Sequence, residues 1–498
     1  MGTGKIARNT VSSLILQISS VICGFIVPKL VLSSYGSEVN GLVNSITQFL
    51  SFVSLLDLGV GAVIISALYR PLSESDGIKL NQIVTSSDKF FRSIGSALVV
   101  YVLLLVGIYP FLVKSSYGFF YTATLICAMS ISTMSQYYFG MTDRLILTAD
   151  QRGYVQYNAQ TATLILNTIV CAVLIKTNNS IQIVKLATSL IYLARPVFLR
   201  IYINRHYCLN RRENYSGEPI PQKWNGIAQH ISAVVLNDTD TVILTFFSTL
   251  SSVSIYSVYN LVVSGLKKLF EASTNGVEAA LGELWAKKEY GACNRLFSFA
   301  EWFIHTSVTY VFTCTALLIV PFVEVYTKGV NDAEYAQPIF AVLIVLAHTM
   351  HCYRLPYHIM VKAAGHYKET QKCYYVAALL NLAVSILAVK RWGLIGVAIG
   401  TLVAMIYQTI WMVIYNSKHL ISGTEKRFIK QMLINLLVFF GCYTAMPLFV
   451  SLKSVSVSSW IMMAIEVAVL VAIIEIFINV IFYRDFAKVI FNKLRKGK

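Results

Sequence analysis

The sequence predicts an all-α polytopic membrane protein with about fourteen transmembrane helices, arranged as two pseudo-symmetric six-helix lobes plus two C-terminal helices. Three observations predict it. Apolar runs of about 20 residues recur from end to end, each long enough to cross the hydrocarbon core. The chain is 56% hydrophobic and only 13% charged, with mean hydropathy +0.63, whereas a soluble chain would carry about 25% charged residues. The two halves also resemble each other at an offset of about 215 residues. In lipid the backbone must satisfy itself, and continuous apolar runs without strand alternation select helices over a closed barrel.

Taken in order, the spans run at 10–32, 40–66, 92–112, 119–140, 156–176, 181–203, 227–248, 252–275, 298–320, 336–360, 373–390, 394–415, 431–450 and 457–482. An even number of spans places both termini on one side. With the N-terminus cytoplasmic, the inside loops hold the cation clusters around Arg70, Arg211, Lys287 and Arg427, and the basic tail Arg484–Lys498 is also inside. The outward loops keep scattered single cations such as Lys114, Lys176 and Lys328. This asymmetry predicts both termini inside. It also accounts for the net charge of +17 without nucleic acid, since no basic block interleaved with aromatics is present.

The start, MGTGKIARNT, runs into a full-length span without a small-residue cleavage site, so it reads as the first helix and not as a signal peptide. Gly2 lacks the Ser or Thr that a myristoylation motif requires. The nine cysteines are scattered, with no CxxC pair, so neither a disulfide framework nor a zinc site is expected. No Walker loop, GxSxG or HExxH occurs, and the outward loops are too short to carry a catalytic site. These features point to a secondary transporter and not an enzyme.

The repeat sets Asn44–Glu74 against Tyr259–Glu289, with Gly61 on Gly276 and Glu74 on Glu289. Later Leu166–Asn167 meets Leu380–Asn381, and Ile201–His206 meets Ile414–His419. Six spans per copy give both copies the same orientation, a parallel repeat of the kind in which substrate binds between lobes that rock against each other. The expected division is 1–203 for the first lobe, 204–226 for a cytoplasmic linker containing RRENYSGEPIPQ, and 227–415 for the second lobe. Residues 416–498 hold the last two spans and the tail.

Ionisable residues inside apolar spans are costly and mark function or a partner. Asp57 lies in span 2, and at the same depth of span 8 Glu271 follows Lys267 by one turn. These charges either line a cavity or simply pair locally, Lys267 with Glu271 at i,i+4. Lys29 follows Pro28 in span 1 and either faces the interior or snorkels to the interface. Arg195 precedes Pro196 in span 6. Asp240 closes the NDTD run of span 7, near His230 and Asn237, which is either an ion site or a structural polar knot. In span 10 His351, Arg354 and His358 fall at i, i+3 and i+7, with Pro356 breaking the ladder. Without an acidic third ligand nearby, His348 and His351 are not expected to hold a metal.

The stretches YGSEVNGLVNSITQFLSFVSLLDLGVGAVIISALYR and LNDTDTVILTFFSTLSSVSIYSVYNLV resemble Wzx-type polysaccharide flippases of the multidrug/oligosaccharidyl-lipid/polysaccharide exporter superfamily. The fourteen-span plan extends the resemblance over nearly the whole chain. It implies a flippase for undecaprenyl-pyrophosphate-linked oligosaccharide repeat units of O-antigen or capsule, working across a bacterial plasma membrane. Lys29, Arg70, Arg195, Lys267 and Arg354 would then form a cationic cavity for the anionic cargo. Asp57, Asp240, Glu271, His351 and His358 would bind sugar hydroxyls or couple H+ or Na+. No cofactor or metal is implied. Partners would be the lipid-linked cargo, membrane lipids and the downstream polymerase and chain-length machinery; a monomer suffices. A multidrug exporter would want an acidic cavity, a lipid II flippase would share the mechanism, and a glycan polymerase or glycosyltransferase would need the missing outward loop.

Overall fold

In the computed structural model the chain is all-helical, with no strand among the described residues; these are 3–53, 60–113, 115–220, 239–449 and 454–483. It forms two compact units, Met1–Ser254 and Ile255–Lys498. The first contains α1 (Thr3–Ser51), α2 (Val60–Glu74), α3 (Gly77–Leu112), α4 (Phe119–Ser135), a π-helical turn (Gln136–Gly140), α5 (Met141–Ala149), α6 (Gly153–Lys176) and α7 (Ile181–His206). Residues 239–247 add a further helical turn pair. Helix α8 (Leu250–Ser273) starts at the end of the first unit. The second unit continues with α9 (Asn275–Ala286), α10 (Tyr290–Tyr326), α11 (Pro338–Tyr353), α12 (Leu355–Ala363), α13 (Tyr367–Trp392), α14 (Leu394–His419), α15 (Thr424–Phe449) and α16 (Val457–Phe482).

The described residues of each expected span are helical apart from a few at ends and breaks, such as Phe52, Val53, Ala336, Gln337 and Arg354, and among the described residues 10 helices are long and apolar enough to cross a membrane. The differences have local causes. The first span and much of the second are joined in α1, and the chain turns at Gly36, whose φ of 83° is readily open to a residue without Cβ. Span 10 is two helices meeting at Arg354, because Pro356 occupies the first turn of α12 and cannot donate to the preceding ladder. Helices α3 and α10, 36 and 37 residues long, extend well beyond the apolar runs that marked them.

Residues 239–254, which the sequence assigns to the second lobe, pack on the first unit. The Asn40 amide donates to Ser254 Oγ at 2.7 Å, and the Ser45 and Thr245 hydroxyls meet at 2.8 Å. Phe246 packs edge-on against Phe49, with ring centroids 5.6 Å apart.

In α16 the buried residues Met463, Val467, Val471, Glu475 and Asn479 recur every fourth position, one ridge facing α10 and α15. Residues such as Met462, Ile465, Ile473 and Phe477 are exposed, as expected of a face turned to lipid. Helices α13 and α14 approach more closely still. A Cβ on Gly400 would lie 2.0 Å from Ser385 Oγ, and one on Gly396 would lie 2.4 Å from the Ala388 backbone. Small residues permit this approach, which membrane helices use in place of a hydrophobic driving force.

The duplication is visible in the polar contacts. Asn167 donates to Tyr192 Oη at 3.2 Å on the next helix of its unit; Asn381, its repeat partner, donates to Thr401 Oγ1 at 3.1 Å on the next helix of its own. Each unit also staples the segment after its sixth span back onto an earlier helix. In the first, Arg211 bonds Asp88 at 3.0 Å and also Asp143, while Arg200 bonds Asp143 at 2.7 Å. In the second, Arg427 bonds Glu301 at 2.8 Å, and Tyr357 donates its hydroxyl to the same carboxylate at 2.7 Å. Asp88 and Glu301, like Arg211 and Arg427, are related by nearly the offset of the sequence repeat.

The Asp143 side chain is 0% exposed between two guanidinium groups. Asp143→Ala should therefore cost about 3–5 kcal/mol, the usual penalty for stranding buried charge, and lower the thermal unfolding midpoint of the purified protein. Arg70→Ala, which removes a surface pair, should leave the midpoint unchanged. Equal midpoints for both variants would show that the staple carries no stability.

Candidate functional site

Two polar constellations stand inside the units. The one in the second unit starts from Arg354, at the break between α11 and α12. The break turns a cation into the bundle, where it is 5% exposed. One terminal nitrogen donates to His351 Nδ1 at 2.9 Å, and the other lies 4.0 Å from Met405 Sδ. Its Nε has no hydrogen-bond partner among the described residues. His351 Nε2 in turn lies 2.8 Å from Glu271 Oε1 on α8. A guanidinium can only donate, so His351 Nδ1 accepts and Nε2 carries the proton toward the carboxylate. The chain Arg354–His351–Glu271 thus links a buried cation to an acid through a neutral imidazole. Glu271 is 41% exposed at the far end.

His358, one turn beyond Arg354, bonds Tyr374 Oη through Nδ1 at 2.8 Å. Lys267, one turn before Glu271 on α8, is half-buried and within electrostatic reach of Glu271 and Arg354. Five of the residues singled out by the sequence, Lys267, Glu271, His351, Arg354 and His358, are therefore gathered in one unit. Glu271 makes a contact between helices, to His351 on α11, and stands within electrostatic reach of Lys267 on its own helix. Among the described residues no group of three His, Cys, Asp or Glu side chains could hold a metal ion.

The first unit holds an open cavity of about 630 Å3 lined by α1, α4, α6 and α7. Its polar lining includes Thr47, Ser132, Gln136, Asn167, Lys185 and Ser189. A smaller cavity of about 100 Å3 shares Ser132, Thr133, Gln136 and Tyr192 with it and carries Arg195 and Gln156. The π-helical turn begins at Gln136, in the wall common to both; such turns are frequent at functional sites. Arg195 is held there by Thr163 Oγ1 at 2.5 Å and by the Gln160 carbonyl at 3.4 Å, with its guanidinium 4.0 Å over the Tyr192 ring.

The remaining sequence candidates are dispersed. Lys29 is half-buried in α1, next to Pro28 of the cavity wall. Asp240 is buried, 5% exposed, in the helical stretch 239–247. Arg70 does not line a cavity: its side chain is 79% exposed and pairs with Glu74 at 2.8 Å, since α2 turns that face outward. Asp57, and with it His230 and Asn237, lies outside the described residues.

Sequence reasoning missed Lys185. The signal was present: Lys185, Ser189, Tyr192 and Arg195 recur at three- and four-residue spacing in span 6, a polar stripe on an otherwise apolar helix. It also read Arg211 and Arg427 as loop cations, because their acids, Asp88 and Glu301, are more than a hundred residues away.

No family model matches the chain, and no curated protein does. Solved structures do. The lipid II flippase MurJ in an inward closed conformation superposes with TM-score 0.71 at 16% identity, over 96% of this chain and 99% of that one. The chain shares this fold. An inward-facing multidrug resistance MATE family transporter of the MOP superfamily gives TM-score 0.62 at 13% identity, over 82% and 98%. The Vibrio cholerae MATE transporter VcmN in its bent form gives 0.55 at 13%, over 87% and 99%. These neighbours are transporters and flippases, not enzymes, and the fold is that of a multi-pass membrane protein.

If Arg354 and Glu271 balance each other through His351, the variants Glu271→Gln and Arg354→Met should not be additive. The double variant should be more stable than the sum of the singles by about 0.5–3 kcal/mol, the range for coupled neighbours, read from unfolding of the purified proteins. Strict additivity would show that the two charges do not communicate.

Proposed function

We propose that this protein is a flippase that moves undecaprenyl-pyrophosphate-linked oligosaccharide repeat units from the cytoplasmic to the outer leaflet of a bacterial plasma membrane, by alternating access. The observation that carries the reading is Arg354, a cation buried in an apolar bundle whose Nε is left without a partner among the described residues. A charge held inside membrane-spanning helices costs at least about 2.5–3.5 kcal/mol. That cost is offset when an anionic cargo supplies the missing acceptors, and a guanidinium matches the paired oxygens of a pyrophosphate. The flippase fold supports the same reading. Lys267 and His358 would add positive charge and a donor at the same level, and Lys29 and Arg195 would serve the first unit.

The same chain offers a route to coupling by H+. A proton added to His351 turns Nδ1 from an acceptor into a donor. The Arg354 hydrogen bond must then break, freeing the guanidinium for cargo, while Glu271 compensates the imidazolium. Na+ at Glu271 or Asp240 is the alternative coupling. A monomer suffices for this cycle, and the polymerase and chain-length machinery would take up the flipped units.

A second reading, transport of lipid II, is favoured by the likeness to the lipid II flippase. Complementation separates the two. In a strain lacking its own polysaccharide flippase, the wild-type chain should restore surface polysaccharide, and Arg354→Ala or Lys267→Ala, present in the membrane at normal level, should reduce it at least tenfold while linked precursor accumulates inside. A tenfold loss corresponds to about 1.4 kcal/mol. Rescue of a strain depleted of its lipid II flippase, without rescue of the first across several sugar types, would favour lipid II. Full activity of both variants would remove these cations from the cargo site.

A further inference from the structure

Helix α7 carries a second unbalanced cation. Lys185 lies in the wall of the 630 Å3 cavity of the first unit, one turn from the start of α7. It takes part in none of the ion pairs or side-chain hydrogen bonds among the described residues. No Asp or Glu stands among the described residues lining either this cavity or the smaller one beside it. Ten residues further along the same helix, about 15 Å by helical rise, Arg195 enters the smaller cavity, where the Oε1 of Gln156, a residue 4% exposed, also lacks a partner. The wall of the larger cavity also includes Ser132, Ser189 and Gln136, together with Thr47 and Asn167, whose hydroxyl and amide already donate to the Val43 carbonyl and the Tyr192 hydroxyl.

We propose that this cavity is an anion site inside the first unit, in which Lys185 binds the carboxylate or phosphate of an acidic sugar while the surrounding hydroxyls and amides bind the sugar ring. An ammonium without a counter-ion among the described residues fits an anionic ligand, and the hydroxyls and amides set in the largely apolar wall fit a sugar, which has both polar edges and apolar ring faces. The volume lies within the range of about 300–1,000 Å3 usual for small-molecule sites. Lys185 supplies a point charge with three free donors; Arg195, already committed to Thr163 and the Gln160 carbonyl, orients the far wall. Assigning the ligand to the glycan of a translocated cargo rests on the flippase reading above. The site is separate from Arg354, which belongs to the other unit.

The test is equilibrium binding to the purified full-length chain in nanodiscs of zwitterionic phosphatidylcholine, by calorimetry, with glucuronate, glucose 1-phosphate and glucose as probes. At least one acidic sugar should bind tenfold or more tightly than glucose, and which one does assigns carboxylate or phosphate. Lys185→Met should abolish that preference and Lys185→Arg should keep most of it. An unmet buried charge is also a structural liability, so Lys185→Met should unfold at a temperature no lower than the wild type, separating lost binding from lost folding. Equal affinity for acidic sugars and glucose, or a preference that survives in Lys185→Met, overturns the proposal. Loss of glucuronate and glucose 1-phosphate binding when phosphatidylglycerol is added would overturn the sugar assignment in favour of a lipid headgroup. Acidic-sugar binding in a chain that fails every complementation would leave the anion site standing and remove the flippase reading; rescue without acidic-sugar selectivity would do the reverse.

Discussion

A charge taken out of water inside a helical bundle must be met by another group, and the polar interior of both units follows from that constraint. Once the backbone is satisfied within helices, side chains alone are free to connect one helix to another. Asp143 illustrates how completely this is done where structure is the purpose: it is fully buried and both oxygens are taken, one by Arg200 and the other by Arg211. Glu301 is treated alike, with Arg427 on one oxygen and Tyr357 on the other. Each staple brings the chain that leaves the sixth helix of its unit back to an earlier helix, so the segment between units is anchored at its origin.

That both units make the same connection with different residues says what duplication preserved. An acid facing an arginine at the repeat offset survives as Asp88 with Arg211 and as Glu301 with Arg427, while the second acid of the first unit has no ionised counterpart, a tyrosine hydroxyl and a histidine standing at that level instead. The buried asparagines Asn167 and Asn381 tell the same story, each tying its helix to the next. Selection of charge balance and helix contact is sufficient to keep such positions, even when few identities remain between the copies.

The same constraint explains which features were legible in the sequence. Spans were legible because crossing lipid demands a long apolar run, and that demand is local. The break in span 10 was legible because Pro356 acts on its own helix, and the common face of His351 and Arg354 because i,i+3 spacing is local too. What was not legible is every pairing over long distance. The sequence leaves Glu271 either lining a cavity or pairing with Lys267 one turn away, and gives no sign of the bond it makes to His351, 80 residues on. Arg70 has the same sequence context as a cavity cation and is an exposed one, because only packing decides which face of α2 meets solvent. The division at Ser254 was illegible for a similar reason: the contacts that hold 239–254 to the first unit run to Asn40, Ser45 and Phe49.

Against this background Arg354 and Lys185 stand apart. The buried acids Asp143 and Glu301 are answered by arginines within hydrogen-bond distance, whereas the buried Glu475 has no ion pair among the described residues and its Oε1 has no hydrogen-bond partner there. Arg354 is answered only at second hand, through a neutral imidazole, and keeps a donor unused among the described residues; Lys185 is placed in the wall of a largely apolar cavity whose described polar lining groups are otherwise neutral. A stable scaffold has no use for either arrangement, because replacing an unbalanced buried charge by an apolar side chain is commonly neutral or stabilising. A carrier does have a use for it. If the protein balanced these cations itself, an anionic cargo would have to displace an internal partner before it could bind. On the flippase reading proposed above, cations left partly unmet would make the empty state less stable than the loaded one, and that difference is the free energy by which a ligand can shift a carrier between conformations.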